Sequence, residues 1–275
     1  MGLRINTNMA SISAQRVLSN QQKRAEHAAQ ALSSGSRIVN AADDAAGLSI
    51  SESLKGQIRG ISQARNNAYN AGSAIQISEG GLNEISNILI RLRELGIQAA
   101  SDNIGETERG FLNQEVKHLV QESDRIAKTT RFGAKTLLDG SGGKMEFHVG
   151  AFSGNENRVS YDLSTDATAK AIGISDLDIS DKGGARDTLE VVDDALVKIG
   201  SMRANFGAIQ NRLFATVSNL DVQHENLSAA NSRIRDTDVA RESAEMASAN
   251  ILQQSAVSVL AQANQLPAVA LKLLA

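Results

Sequence analysis

Apolar residues recur every seven positions along most of this chain, and the spacing predicts helices. Leu54, Ile61, Ala68, Ile75, Leu82 and Leu89 form one ladder, and Ile50, Ala64, Ala71, Ile85, Leu92 and Ala99 form a second beside it. Paired ladders with polar residues between them mark a helix with one buried stripe. No proline interrupts them, so Leu48 to Ala99 reads as one helix of about 75 Å. Gly80-Gly81 is the place where it would bend. A second run, Val192, Ile199, Phe206, Leu213, Leu220, Leu227 and Ile234, implies a helix of similar length. Two matched seams far apart in sequence most simply pack against each other as a coiled coil. A shorter helix, about Glu106 to Thr129, carries Leu112, Val116, Leu119 and Ile126 and is expected to fold back on the first.

The C-terminal stretch has the same period without the charges. From Met246 to Leu271 there is no charged residue and no histidine. Leu252, Val259, Leu266 and Leu273 alternate with Ala256, Ala263 and Ala270, a seam of large and small residues. The uncharged run is long enough to span a membrane. Its many glutamines, serines and asparagines would have no partners in hydrocarbon, so it reads as an amphipathic helix with an uncharged polar face. Pro267 is expected to kink or restart it. Between the long helices, KMEFHVGAF and NRVSYDL alternate apolar and polar residues around the turn-rich SGNEN, which predicts a β-hairpin. Gly142-Gly143 and Gly183-Gly184 bracket a stretch without clear period.

Composition agrees with helices packed closely. The 275 residues include one proline, no cysteine, no tryptophan and 3% aromatics. Aromatic residues usually supply much of a core's buried area, and here Ala, Leu, Ile and Val must do so. A net charge of −3 gives no basic footprint for nucleic acid. The lack of cysteine excludes a disulfide scaffold and cysteine metal sites. The opening MGLRINTNMASISAQRVL lacks the apolar core of a secretory signal, and Asn6 breaks the myristoylation pattern. The chain is therefore expected to stay in the cytoplasm or to leave by a route that does not read these signals.

Candidate chemistry is sparse. His27, His118, His148 and His224 are scattered, with no second ligand at helical spacing. There is no P-loop, no G-x-G-x-x-G and no G-x-S-x-G. Gly56 and Gly60 spell a GxxxG that reads as two glycines in a soluble helix, and the sequon at Asn226 falls inside a heptad helix. Asp43 and Asp44 precede the first long helix. Two adjacent carboxylates could bind a hard cation or share a proton, but capping of the helix N-terminus is the simpler reading. Asp236-Thr237-Asp238 marks a similar break before the last helix, and Asp193-Asp194 reads as a solvated face.

Several segments together resemble bacterial flagellin: LRINTNMASISAQR, LSSGSRIVNAADDAAGLSIS, LGIQAASD, TRFGAKTLLDG, ANSRIRDTDVARESAEMASANILQQ and VLAQANQLPAVALKLL. They cover essentially the whole chain. The residues between Gly150 and Gly183 are too few for large variable outer domains, so the resemblance is to a minimal flagellin. It implies a mainly α fold of long antiparallel helices in a coiled-coil bundle with a small β-hairpin. Terminal helices near 3–33 and 238–275 would pair. The implied domains are 1–46 with 236–275, and 47–235, with the hairpin near 144–163 and connectors near 34–46 and 170–188.

The implied function is a structural filament subunit used for motility, exported through the flagellar type III route and folded at the filament tip, with no catalytic site and no cofactor. The nearest alternative is the hook–filament junction protein. The implied partners are copies of itself or paralogous flagellins, an export chaperone, and the cap and hook-associated proteins. Leu252, Ala256, Val259, Ala263, Leu266 and Leu273 would form the subunit-assembly seam. By resemblance, Arg91, Leu95 and Glu115 match positions contacted by Toll-like receptor 5.

Overall fold

The computed structural model describes residues 7–162 and 165–272, and the side chains of all of these except 161–162 and 266–272. Helices α1 (Met9–Ser34), α2 (Ala45–Ala99) and α3 (Glu106–Thr129) come first. Strands β1 (Arg131–Phe132), β2 (Lys135–Thr136), β3 (Lys144–His148) and β4 (Arg158–Asp162) follow. A one-turn helix α4 (Ala169–Ile172) precedes α5 (Lys182–Arg235) and α6 (Val239–Lys272). The chain divides into two compact units, one of residues up to Gln57 with those from Asn226 onward, the other Ile58–Glu225. The division falls inside α2 and α5, not at the 46/47 and 235/236 boundaries expected from the connectors.

In the larger unit α2 and α5 run antiparallel. Arg65 pairs with Asp221 at 2.9 Å and Arg93 with Asp193 at 2.7 Å. As many residues separate the two arginines as separate the two aspartates, so the register is constant between them. The core lies where the ladders placed it. Ile61, Ile75, Leu82 and Leu89 of α2, and Val192, Ile199, Phe206, Leu213 and Leu220 of α5, are all buried. Val116 and Ala127 of α3 close over them.

Helix α2 runs unbroken through Gly80-Gly81 to Ala99. Gly81 serves packing. A Cβ there would lie 2.8 Å from Leu138 Cδ1 and 2.9 Å from Thr130 Oγ1, so only glycine lets the segment after α3 approach this closely.

The hairpin forms between β3 and β4, with Phe147 opposite Val159 and Met145 opposite Tyr161. A smaller hairpin, β1 with β2, has no counterpart in the alternation pattern. Its two-residue turn contains Gly133 at φ +61°, where glycine is favoured. The expected connector at 170–188 is largely ordered and packed. Ile172, Ile174, Leu177 and Ile179 are buried, and α5 already begins at Lys182. Asn113 on α3 staples this segment, donating to Asp178 Oδ1 at 2.8 Å and accepting from the Ile179 amide at 3.2 Å. Gly183-Gly184 therefore lies in the first turn of α5. A Cβ on Gly184 would sit 2.4 Å from the Asp178 carbonyl oxygen.

The smaller unit is built on α1 and α6, also antiparallel. Near the start of α1, Asn8 Nδ2 donates to the Ala263 carbonyl at 2.7 Å. Past its other end, the Thr237 amide donates to the Gly35 carbonyl at 3.1 Å. Asn8 caps α1 by accepting from the Ser11 amide, and Gly35 ends it at φ 67°. Helix α6 continues past Pro267 to Lys272 without restarting. Leu54, Leu227 and Ile234, the seam positions that fall in this unit, are half-buried, and Ile50 is exposed rather than laddered into a core.

Candidate assembly surface

The seam between α1 and α6 is made of alanine. Among the described side chains, Ala14, Ala28 and Ala31 of α1 and Ala249, Ala256 and Ala263 of α6 are the fully buried apolar residues of the two helices. The α6 alanines are spaced seven apart, so they fall on one stripe. Side chains this small let two helices pack at the short end of the usual 8–10 Å interaxial range. Leu18, Leu32, Met246 and Leu260 are half-buried beside the alanines, and other large residues stay exposed. Leu252 stays 45% exposed and Val259 54%, and Met9, Ile12, Val17, Ile251 and Val257 are exposed as well. Along the expected assembly seam, Ala256 and Ala263 are buried, whereas Leu252 and Val259 remain partly exposed beside α1. Leu266 and Leu273 lie outside the residues whose side chains are described.

A groove of about 390 Å³ runs along this rim, bounded by Ala10, Val17 and Gln21 on one side and Leu252, Ala256 and Val259 on the other. Gln21 Oε1 is buried with no hydrogen-bond partner among the described residues. Such an oxygen is costly unless a donor arrives from elsewhere.

The connector after α1 is fixed by charge. Asp44 precedes α2 and caps it, its Oδ1 accepting from the Gly47 amide at 2.8 Å. That amide, and then Arg37, hold the Asp44 carboxyl below its usual range. Gly47 leaves room for the cap, since a Cβ there would lie 2.3 Å from Asp44 Oδ2. Asp43 was expected to cap α2 too, but it is one residue too far back. Its Oδ2 instead accepts from the amides of Val39 at 3.0 Å and Asn40 at 2.8 Å, folding the connector on itself. Arg37 ties the end of α5 to this turn. It donates from Nε and Nη2 to the Ile234 carbonyl at 3.2 and 2.8 Å and from Nη2 to Asp44 at 3.3 Å. Sequence reading passed over Arg37. Its position seven residues before an N-capping aspartate was the only signal. Asp238 caps α6, accepting from the Ala240 amide at 2.9 Å.

The three expected receptor positions separate in the larger unit. Arg91 donates from Nε to Glu115 at 3.0 Å and from Nη1 to Glu94 at 3.0 Å, on an exposed surface. Glu94 first, then Glu115, push the Arg91 guanidinium up. Leu95 is fully buried. It continues the stripe of Leu92 and Ala99 into the core, so it is not a surface contact in this fold.

Among the described residues no group of acidic, histidine or cysteine side chains could hold a metal ion, and no helix is long and apolar enough to cross a membrane. The paired helices α1 and α6, with large apolar residues left partly exposed, and the packed α2, α3 and α5 helices of the larger unit define a mainly helical protein. The description "Bacterial flagellin N-terminal helical region" matches residues 5–142, and "Bacterial flagellin C-terminal helical region" matches 189–274. The chain belongs to the bacterial flagellin family. It is 41% identical to a flagellin of Halalkalibacterium halodurans over 271 residues, 98% of this chain and 99% of that one. It is 40% identical to the flagellar filament 33 kDa core protein of Treponema phagedenis, over 95% and 96% of the two chains. The alignment with polar flagellin A of Vibrio parahaemolyticus covers both chains fully but runs to 375 positions. The excess over 275 residues is sequence that this chain lacks, as expected of a minimal form. The crystal structure of Bacillus cereus flagellin superimposes with a TM-score of 0.51 at 29% identity, covering 60% of this chain and 94% of that one.

Proposed function

We propose that this chain is a structural subunit of the extracellular filament of the bacterial flagellum, exported unfolded by the flagellar type III route and folded at the filament tip against neighbouring subunits. The observation that carries the reading is the rim of large apolar residues that α1 and α6 leave uncovered. Ordering a residue costs on the order of 1–2 kcal/mol of backbone entropy. An alanine seam returns little of that, whereas burying one Leu or Val side chain returns about 1.5–3 kcal/mol. The terminal helices gain that second contribution only where other subunits supply the cover. Free subunits therefore keep disordered ends and stay dispersed, and growth is confined to a filament end. A surface that meets a different surface on the next copy, with a rotation that does not close, builds an open helical filament.

The filament's motility role, and encounters with an export chaperone, with cap and hook-associated proteins and with paralogous flagellins, follow from this reading. Matches along nearly the entire chain to flagellins favour a filament subunit over the hook–filament junction protein.

The test is removal of Ile251–Ala275. The truncated chain should retain the circular dichroism of α2, α3 and α5 and fail to elongate filament seeds seen by electron microscopy. Normal elongation by the truncated chain would overturn the assembly role of α6.

A further inference from the structure

The end of α5 is capped from a distant part of the chain. The last four carbonyls of a helix have no amide partner within it. In α5 the Ser232 carbonyl accepts from the Asp236 amide at 2.9 Å, but the last two are taken by the connector between α1 and α2. The Arg235 carbonyl accepts from the Arg37 amide at 2.7 Å and from Ser36 Oγ at 3.2 Å. The Ile234 carbonyl accepts from the Arg37 guanidinium, 197 positions away in sequence. A cation is favoured at this negative end of a helix dipole. Ser36 and Asp236 form an isolated antiparallel bridge, and the Thr237 amide returns a bond to the Gly35 carbonyl. Arg235 in turn reaches Glu52 at 2.6 Å, and Ser51 Oγ donates to Asn231 Oδ1 at 2.8 Å, so the start of α2 is held at the same point. Helix α1 ends at Ser34 and α6 begins at Val239, so both leave this clasp side by side.

The seam is tightest beside the clasp. Ala28 and Ala31 are fully buried and Ala249 nearly so, whereas Ala14 and Ala256 keep 7%. The groove along the rim, bounded by Ala10, Val17, Gln21, Leu252 and Val259, lies away from the clasp. At the far end Asn8 and Ser11 reach across to α6 by side chain alone.

We propose that Arg37 is a positioning residue for assembly: with Ser36 it clasps the connector to the end of α5, and the α1–α6 pair zips from that clasp toward the two chain ends. This rests on the filament reading, in which the pair forms as a subunit joins. Bringing α1 to α6 closes a loop of nearly the whole chain, and that entropy must be met before the seam gains anything. Once the clasp is made, each further turn adds local contacts, as a helix grows after a costly nucleus. A seam of alanine is too weak per turn to begin at the far end.

Seeded elongation by the full chain, and loss of subunits from filaments after dilution, separate a starting point from a mere support. A substitution in a folding nucleus slows formation, and one outside it speeds loss. The Arg37 side chain is half exposed. Arg37→Ala is expected to slow elongation about three- to tenfold, the range for a partly solvated hydrogen bond from a charged group, with the dissociation rate nearly unchanged. Ala14→Gly, on the seam far from the clasp, should do the reverse. Its elongation should stay near normal and its dissociation should be about fivefold faster, the equivalent of one Gly-for-Ala helix penalty. Normal elongation by Arg37→Ala, faster dissociation as its main effect, or an equal slowing by Ala14→Gly would each overturn the clasp. If Arg37→Ala does not elongate at all, Arg37→Lys decides, since it keeps the charge and a donor: partial recovery supports the clasp and none overturns it. Failure of the unsubstituted chain to elongate counts against the filament reading alone. The clasp is then read on the soluble chain by hydrogen exchange, where protection along α1 should fall from Ser34 toward Met9 and uniform exchange would overturn it.

Discussion

The two helix pairs of this molecule use one heptad period for opposite ends. Between α2 and α5 the large residues are inside: Leu82, Leu89, Val192, Ile199 and Phe206 are fully or almost fully buried. Between α1 and α6 the alanines are inside, and Leu252 and Val259 are left in the open. Period alone predicts that a stripe will be buried; residue size decides by what. A stripe of Leu, Ile and Phe sustains its own fold. A stripe of alanine aligns two helices and leaves larger apolar residues such as Leu252 and Val259 partly exposed.

Core substitutions give the sharpest test of that contrast. Phe206→Ala removes a fully buried aromatic ring from the larger unit, and the expected loss is about 3–5 kcal/mol, read from chemical denaturation of the soluble chain. Leu252→Ser with Val259→Ser should leave the same denaturation curve unchanged while abolishing seeded elongation. A matching loss of monomer stability in the Leu252/Val259 variant would show that the rim is already covered within the chain, and the comparison would collapse.

Adjacent glycines sharpen the comparison on a smaller scale. Gly80 has nothing within 4 Å of where a Cβ would stand, whereas Gly81 meets Leu138 and Thr130. Gly80→Ala should therefore stabilise α2 by about 0.8–1 kcal/mol through helix propensity. Gly81→Ala gains the same propensity but forces the packed segment away, and overpacking typically costs 1–3 kcal/mol. Opposite signs are expected in thermal melts of the two variants. Stabilisation by both would mean that the 130–138 segment yields easily and that Gly81 is not a packing residue.

That pair also shows where sequence reading stops. The long ladders were legible because one face of each helix is buried against its own chain, so period and burial coincide. Helix α3 was placed at Glu106–Thr129, where it lies, for the same reason. The packing role of Gly81 was not legible, because a bend-prone glycine and a close-approach glycine look identical until the neighbour is known. The 170–188 stretch was read as a connector because its buried residues, Ile172, Ile174, Leu177 and Ile179, follow the shape of the surface beneath them rather than any helical or strand period. Leu252, Ala256, Val259 and Ala263 were read as one stripe, but that the alanines would be its buried members was not legible, since alanine carries almost no hydrophobic signal. Asp44 was legible as a cap from its position alone. The Arg37 contacts were not, because they depend on which elements the fold brings beside the connector.

The smallest stability effect is expected on the exposed face of the larger unit, where α2 and α3 meet. Arg91 bridges Glu115 on α3 and Glu94 on its own helix, and all three side chains are largely solvated. Exposed pairs of this kind contribute little, because water and salt screen the attraction and two long side chains must be held still. Arg91→Ala should therefore leave the melting curve of the chain unchanged, and so should Arg91→Ala/Glu115→Ala. The same two charges are the part of the Toll-like receptor 5 contact expected by resemblance that this fold leaves exposed, since Leu95 is buried. A receptor that uses them would lose signal from a variant whose fold is intact. Reporter cells bearing the receptor should respond to the soluble unsubstituted chain and respond less to Arg91→Ala. Equal signalling by the folded double variant would remove this surface from the receptor's reach while leaving the filament reading, and the contrast between the two helix pairs, as they stand.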